Sequence, residues 1–305
     1  MEDTTRMIKS TPLKLVSLAS AGLLLAACGD DAAQNGEDAS IGDQLDYTIT
    51  GIEPGAGITE TTEQALNAYD NLGDWELETS STAGMMGQID SAIANEEPLV
   101  VTGWTPHYKF EMYDLKFLED PEGIYGDSEF VHTMSRIGFE EDMPEAYAIL
   151  ENFSWEVDDM QQIMLDAQDM EFDEAASDWI EENRDLTDSW VEGIDEVDGQ
   201  SIELGSFPWD SERASSQVIS QILEEHGFDV TVSNVDPSIL FQALAQGEVD
   251  ATVAPWLPTT QGTYLEAYGD DIVDMGVNME GTVIGLVVPE YMDIDSIEDL
   301  TGDTE

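Results

Sequence analysis

The sequence predicts an α/β protein of two similar lobes with a ligand cleft between them. Three observations carry that reading. A β-α-β-α-β pattern occurs twice, once after residue 47 and again after residue 200. Each copy ends in Trp-x-Pro at the same interval, 47 residues from Gly57 to Trp104 and 47 from Trp209 to Trp256. A chain of 305 residues with 41% hydrophobic side chains can build two cores.

Taken in order, the chain opens with a leader. Arg6, Lys9 and Lys14 precede or enter a 15-residue apolar stretch, 13–27, broken only by Lys14, Ser17 and Ser20. A spanning helix needs about 20 residues, whereas this length suits a signal-peptide core. The stretch ends Leu25-Ala26-Ala27-Cys28, small residues before the only cysteine of the chain, which resembles a bacterial lipobox. Residues 1–27 are therefore expected to be a lipoprotein signal peptide and Cys28 the lipid attachment. Residues 28–46 carry no apolar periodicity and are expected to be a flexible tether.

The first lobe is expected over 47–131. Strands are predicted at 47–52, 75–79 and 98–103. Between them, Ala65, Leu66 and Tyr69 keep helical spacing in 60–71, as do Met85, Met86, Ile89, Ala92 and Ile93 in 84–95. Residues 132–199 are expected to hold a crossing segment and acidic helices whose Trp155, Trp179 and Trp190 read as packing. Residues 130–136 and 282–289 are the two candidate crossings. The second lobe, 200–288, repeats the pattern: strand 201–207, helix 211–226 closed by Gly227, and strand 229–235. There follow a helix opened by Asp236-Pro237 and stopped at Gly247, and strand 249–255. Residues 289–305 are expected to be a C-terminal tail.

Charge narrows the partners. Sixty-eight Asp and Glu against eight Lys and Arg give −60, which excludes nucleic acid and electrostatic docking on anionic lipid, since both need clustered cations. At molar salt the Debye length falls to about 3 Å and self-repulsion is screened, so the composition points to a halophilic protein. One cysteine excludes a disulfide framework and any multi-cysteine metal site.

The repeat suggests chemistry. Trp104, Trp209 and Trp256 stand at or just past strand ends, where a cleft would lie. Several indole faces around one point would cage a cation that cannot donate hydrogen bonds, although three separate core tryptophans would read the same. The Gly-rich loop 53–58 joins a strand to a helix N-terminus, where free N–H groups attract a carboxylate. Together they suit a zwitterion with a quaternary ammonium.

Six segments, GIEPGAGI (51–58), VVTGWTPHYKF (100–110), YDLKFLEDPEGIYG (113–126), PWDSERAS (208–215), ATVAPWLPTT (251–260) and IGLVVPEYMDIDSIEDL (284–300), closely resemble the glycine betaine-binding lipoproteins of osmoprotectant ABC importers. The resemblance covers nearly the whole mature chain. It implies a two-lobed periplasmic-binding-protein fold (type II-like) with ligand in the interlobe cleft. The segment order is circularly permuted, as in the Gram-positive-type relatives. It implies a prism of Trp104, Trp209 and Trp256 around the trimethylammonium and carboxylate binding by the Gly57 and Ile58 amides. The family places a histidine five residues after the third tryptophan; this chain has Gln261. The implied protein is a monomer with no cofactor, lipid-anchored on the outer face of the cytoplasmic membrane, that delivers glycine betaine to a membrane permease.

Other classes fit less well. His107, His132 and His226 show no ligand spacing, and no nucleophile-elbow or phosphate-loop motif occurs, so no enzyme is expected. A structural lipoprotein would not need a repeated lobe with convergent tryptophans. Choline or carnitine is the alternative ligand, with Asp210 as a partner for a hydroxyl.

Overall fold

The computed structural model describes residues 40–302. The expected leader and Cys28 lie outside the described residues, as does the expected tether up to residue 39. The end of that tether is folded instead. Ser40 caps a helix Ile41–Gln44 by accepting the Asp43 N–H, and the Gly42 N–H donates to the Thr301 carbonyl. Ile41 and Leu45 stand one helical turn apart and pack on the core, which is why the chain is ordered there.

In the first lobe, β1 (Thr48–Thr50) pairs in parallel with β2 (Glu76–Glu78) and β3 (Val101–Thr105). Helix Gly57–Ala68 links β1 to β2, and helix Thr82–Asn95 links β2 to β3. The second is capped by the Ser81 hydroxyl, which accepts the Gly84 N–H, and it buries Met85, Met86, Ile89 and Ala92. The short strand β4 (Leu115–Phe117) follows.

The chain enters the second lobe over residues 118–128. There β5 (Glu129–Arg136) lies within the sheet, flanked by other strands of the same lobe. The sequence makes it a candidate crossing, but it is strand-paired on both edges and stays in the second lobe. Helices between 139 and 191 cover this lobe. Their tryptophans form one packed cluster, with Trp155 edge-on to Trp179 at 5.5 Å and Trp179 stacked on Trp190 at 6.4 Å. β6 (Gln200–Ser206) pairs in parallel with β7 (Phe228–Asn234) and with β8 (Ala251–Thr252). Helix Asp210–Glu225 links β6 to β7 and buries Ala214, Val218, Ile219, Ile222 and Leu223. Helix Pro237–Gln246 links β7 to β8 and ends at Gly247, φ 72°. β9 (Trp256–Leu257) adds to β5.

The last strand, β10 (Ile272–Pro289), is 18 residues long and belongs to both lobes. Its first part, from Ile272 to Thr282, is antiparallel to β5; Val283 to Val287 are antiparallel to β3. The changeover follows a register shift between Glu280 and Thr282, with Gly281 at φ 88°. The order across the sheet is β2-β1-β3-β10-β5-β8-β6-β7.

Residues after 289 do not trail away as a tail. Met292, Ile294, Ile297 and Leu300 are buried, and the Asn71 side-chain amide donates to the Ile297 and Leu300 carbonyls at 2.8 and 3.1 Å. Four apolar side chains at two- to three-residue spacing dock this segment on the first lobe. Among the described residues no helix is long and apolar enough to cross a membrane.

Candidate ligand site

A cavity lies where the lobes meet, lined by residues of both. All six residues expected at a site line it: Gly57, Ile58, Trp104, Trp209, Trp256 and Gln261. Ile52, Ala56 and Ile284 add apolar surface to its wall.

Trp104 comes from the first lobe, on β3 opposite Ile284 of β10. Its ring rests on a fully buried amine: Lys109 Nζ is 4.0 Å from the ring centroid and donates to the Trp104 carbonyl at 3.5 Å. Burial pushes the Lys109 amine well below the usual lysine range. His107 meets the same ring edge-on at 4.8 Å, and its Nδ1 accepts the Lys109 N–H at 3.1 Å. Burial, with the nearby Lys109, favours neutral imidazole. His107 thus packs behind the wall and does not line the cavity.

Trp209 and Trp256 come from the second lobe. Trp209 is the N-cap residue of helix Asp210–Glu225. Its indole N–H donates at 3.2 Å to Glu53 of the first lobe, so the lobes touch here. The Glu53 carboxylate also accepts the Thr82 N–H and hydroxyl at 2.8 and 2.9 Å; these bonds outweigh burial and hold its pKa below the usual range. Trp256 pairs with Val131 of β5. Gln261 fastens it: the Gln261 side-chain oxygen accepts the Trp256 N–H at 2.6 Å, and the Gln261 N–H donates to the Trp256 carbonyl at 3.0 Å.

Gly57 and Ile58 are the first two residues of helix Gly57–Ala68, whose N-cap Ala56 has no side-chain acceptor. Their N–H groups have no intrahelical partner and sit at the positive end of the helix dipole, on the cavity lining. Gly57 is needed sterically: a Cβ there would lie 2.2 Å from the Thr260 carbonyl oxygen of the other lobe. That carbonyl cannot easily yield. The Thr259 and Thr260 N–H groups donate at 2.8 and 2.7 Å to Glu129, a carboxylate only 1% exposed.

The structure adds Ser211, Glu212 and Thr260 to the lining. Glu212 is the one ionisable side chain among the described lining residues. Burial pushes its carboxyl up to about 7, against hydrogen bonds from Ser211 (2.7 Å) and its own N–H. The Trp256 indole N–H lies toward this carboxyl without meeting hydrogen-bond geometry and has no other partner. Asp210, the acid expected to serve a choline hydroxyl, is absent from the lining and pairs with Arg213 at 3.4 Å.

A family profile described as the substrate binding domain of ABC-type glycine betaine transport systems matches residues 30–182 and 200–305. The chain belongs to this family. It is 43% identical over 294 residues to the glycine betaine/carnitine transport binding protein GbuC of Listeria monocytogenes, covering 94% of this chain and 98% of that one. Among solved structures, lactococcal OpuAC, closed on glycine betaine, is 41% identical over 50% of this chain and 62% of its own, with a TM-score of 0.45. ProX of Borrelia burgdorferi is 37% identical over 50% of this chain and 58% of its own, with a TM-score of 0.47. Membership makes this chain a transport receptor and not an enzyme.

Glu212 and Glu129 do not stand out in the sequence, because acids are everywhere in this chain. The one available cue was the position of Glu212 in the first turn after Trp209.

Proposed function

We propose that this chain captures glycine betaine between its lobes and presents it to the permease of an osmoprotectant importer. Trp104, Trp209 and Trp256 surround the trimethylammonium, each indole face contributing about 0.5–2 kcal/mol. The Gly57 and Ile58 N–H groups receive the carboxylate. Gln261 helps indirectly, since its side-chain oxygen is committed to the Trp256 backbone and only its NH₂ group remains to donate.

The observation that carries this reading is the convergence of three indoles and two uncapped helix N–H groups on one cavity. Much of the remaining wall, Ile52, Ala56 and Ile284, is apolar, which suits methyl groups more than a hydrated cation. Walls from both lobes suit capture by closure, with the ligand stabilising the closed state through its differential affinity. The rest of the proposal rests on sequence: a signal peptide over 1–27, lipid attachment at Cys28 on the outer face of the cytoplasmic membrane, a monomer, and a charge suited to molar salt.

Calorimetric titration of the chain in molar KCl, first with glycine betaine and then with choline, tests it. Saturable one-to-one heat with glycine betaine is expected. Heat with choline alone would overturn the carboxylate subsite, and no heat with either would overturn the ligand assignment.

A further inference from the structure

One group in the cavity has no part in the cage or in the carboxylate subsite. Glu212 lies in the first turn of helix Asp210–Glu225, is 4% exposed, and faces a cavity that offers it no cation. Its immediate polar neighbours are donors: the Ser211 hydroxyl, its own N–H, and the unpartnered Trp256 indole N–H. The helix N-terminus adds positive potential. This is a setting arranged for a carboxylate, and what opposes the charge is desolvation and, to a smaller degree, the neighbouring Asp210.

The surrounding charges do not supply the missing cation. Asp210, on the same helix, adds negative potential and is itself paired with Arg213. From the first lobe, Glu53 is bonded to Thr82 and Trp209, and Tyr108 is held in its phenol form by burial and by Asp210. Lys109 and His107 stand behind Trp104, where burial favours their neutral forms.

We propose that Glu212 is the counter-charge of the ammonium site, protonated in the empty receptor and ionised in the loaded one, so that capture of a quaternary ammonium releases a proton. The inference rests on the ligand class proposed above. When the cation enters, the Glu212 O–H bond breaks, the electron pair stays on the carboxylate, and the proton passes to solvent. The carboxylate then faces the ammonium and accepts the Trp256 N–H. The sign follows from linkage. A carboxyl raised to about 7 in the empty protein and lowered by a bound cation makes affinity rise with pH below about 7 and level off above about 8. Glycine betaine has no group that titrates in this range, so the effect belongs to the receptor.

The test is calorimetric titration of the full chain with glycine betaine at constant molar KCl. It is run at several pH values in phosphate and in Tris, buffers whose protonation heats differ. Wild type should release a fraction of a proton per ligand near pH 7, approaching one below it, with affinity falling up to about tenfold per pH unit on the acid side. Glu212→Gln should bind more weakly, by roughly five- to a hundredfold at pH 8, with no proton release and a flat pH profile. Binding of glycine betaine by wild type with identical heats in both buffers and a flat pH profile would overturn the proposal and leave the ligand assignment standing. Undiminished proton release in Glu212→Gln would also overturn it. No binding by wild type at any pH would overturn both. The wild-type buffer comparison needs no variant, so it decides the matter even if Glu212→Gln fails to fold.

Discussion

Gly57→Ala isolates the contact between the lobes. The added Cβ would stand 2.2 Å from the Thr260 oxygen, 2.6 Å from its Cγ2 and 2.9 Å from its carbonyl carbon. The first distance is about 0.8 Å short of the 3.0 Å that real contacts reach. The Thr260 backbone cannot swing aside without loosening its hydrogen bonds to Glu129. Overpacking against so firm a neighbour costs about 1–3 kcal/mol. The cost falls on the closed arrangement alone. When the lobes part, the methyl group meets nothing, and alanine is the better helix former by up to about 1 kcal/mol. The expected result is a dissociation constant for glycine betaine raised roughly 5- to 150-fold, with the melting temperature of the unliganded protein unchanged or raised. Gly87→Ala is the control: Gly87 is an exposed glycine inside helix Thr82–Asn95 with nothing within 4 Å of its added Cβ. It should stabilise the fold by up to about 1 kcal/mol and leave affinity alone. Calorimetry and thermal melts with and without ligand read both effects. Gly57→Ala binding within twofold of wild type would refute the reasoning.

Trp104→Ala, Trp209→Ala and Trp256→Ala should each cost at least about 1 kcal/mol of glycine betaine binding, read by calorimetry; three unchanged affinities would remove the cage. Stability without ligand should carry the mark of Glu212. Its carboxyl, raised from 4.5 to about 7, holds a proton in the folded protein that the unfolded chain has lost, so folding is weakened as pH rises through that interval. The loss is about 3 kcal/mol, and Glu212→Gln should remove that slope from denaturant titrations at pH 5 and 7.5 in molar KCl. Equal slopes in both proteins would count against it. Dilution from molar to millimolar KCl should unfold the chain through unscreened repulsion among its carboxylates, and a far-UV spectrum that does not change would refute that.

Periodicity made the two repeats legible. The strands at β1, β2, β3, β6 and β7 and the four helices between them lie within a few residues of where apolar spacing puts them, because each helix buries one stripe against a sheet. The six site residues were legible through repeat and resemblance together, and the cavity gathers all of them. Long-range pairing was not legible. β5 reads as a short apolar strand whichever lobe it joins, and only the partners β8, β9 and β10 place it in the second. Residues 290–302 look like an acidic tail until Ile297 and Leu300 are seen to be buried. Glu129 and Glu212 are two carboxylates among many, and what distinguishes them is the burial that the fold imposes.

The continuity of β10 limits how the receptor can search for its ligand. One continuous strand runs from Ile272, paired with β5 of the second lobe, to Val287, paired with β3 of the first. Sliding the lobes past each other would have to stretch or shear that covalent strand, whereas bending it near Gly281 falls where its partner changes and its register is already irregular. The lobes therefore trace nearly a single arc, like the covers of a book on its spine. Each return along the arc brings Trp104 to the same place opposite Trp209 and Trp256. A trap with one coordinate loses little entropy on shutting, and more of the contact energy remains to hold the guest.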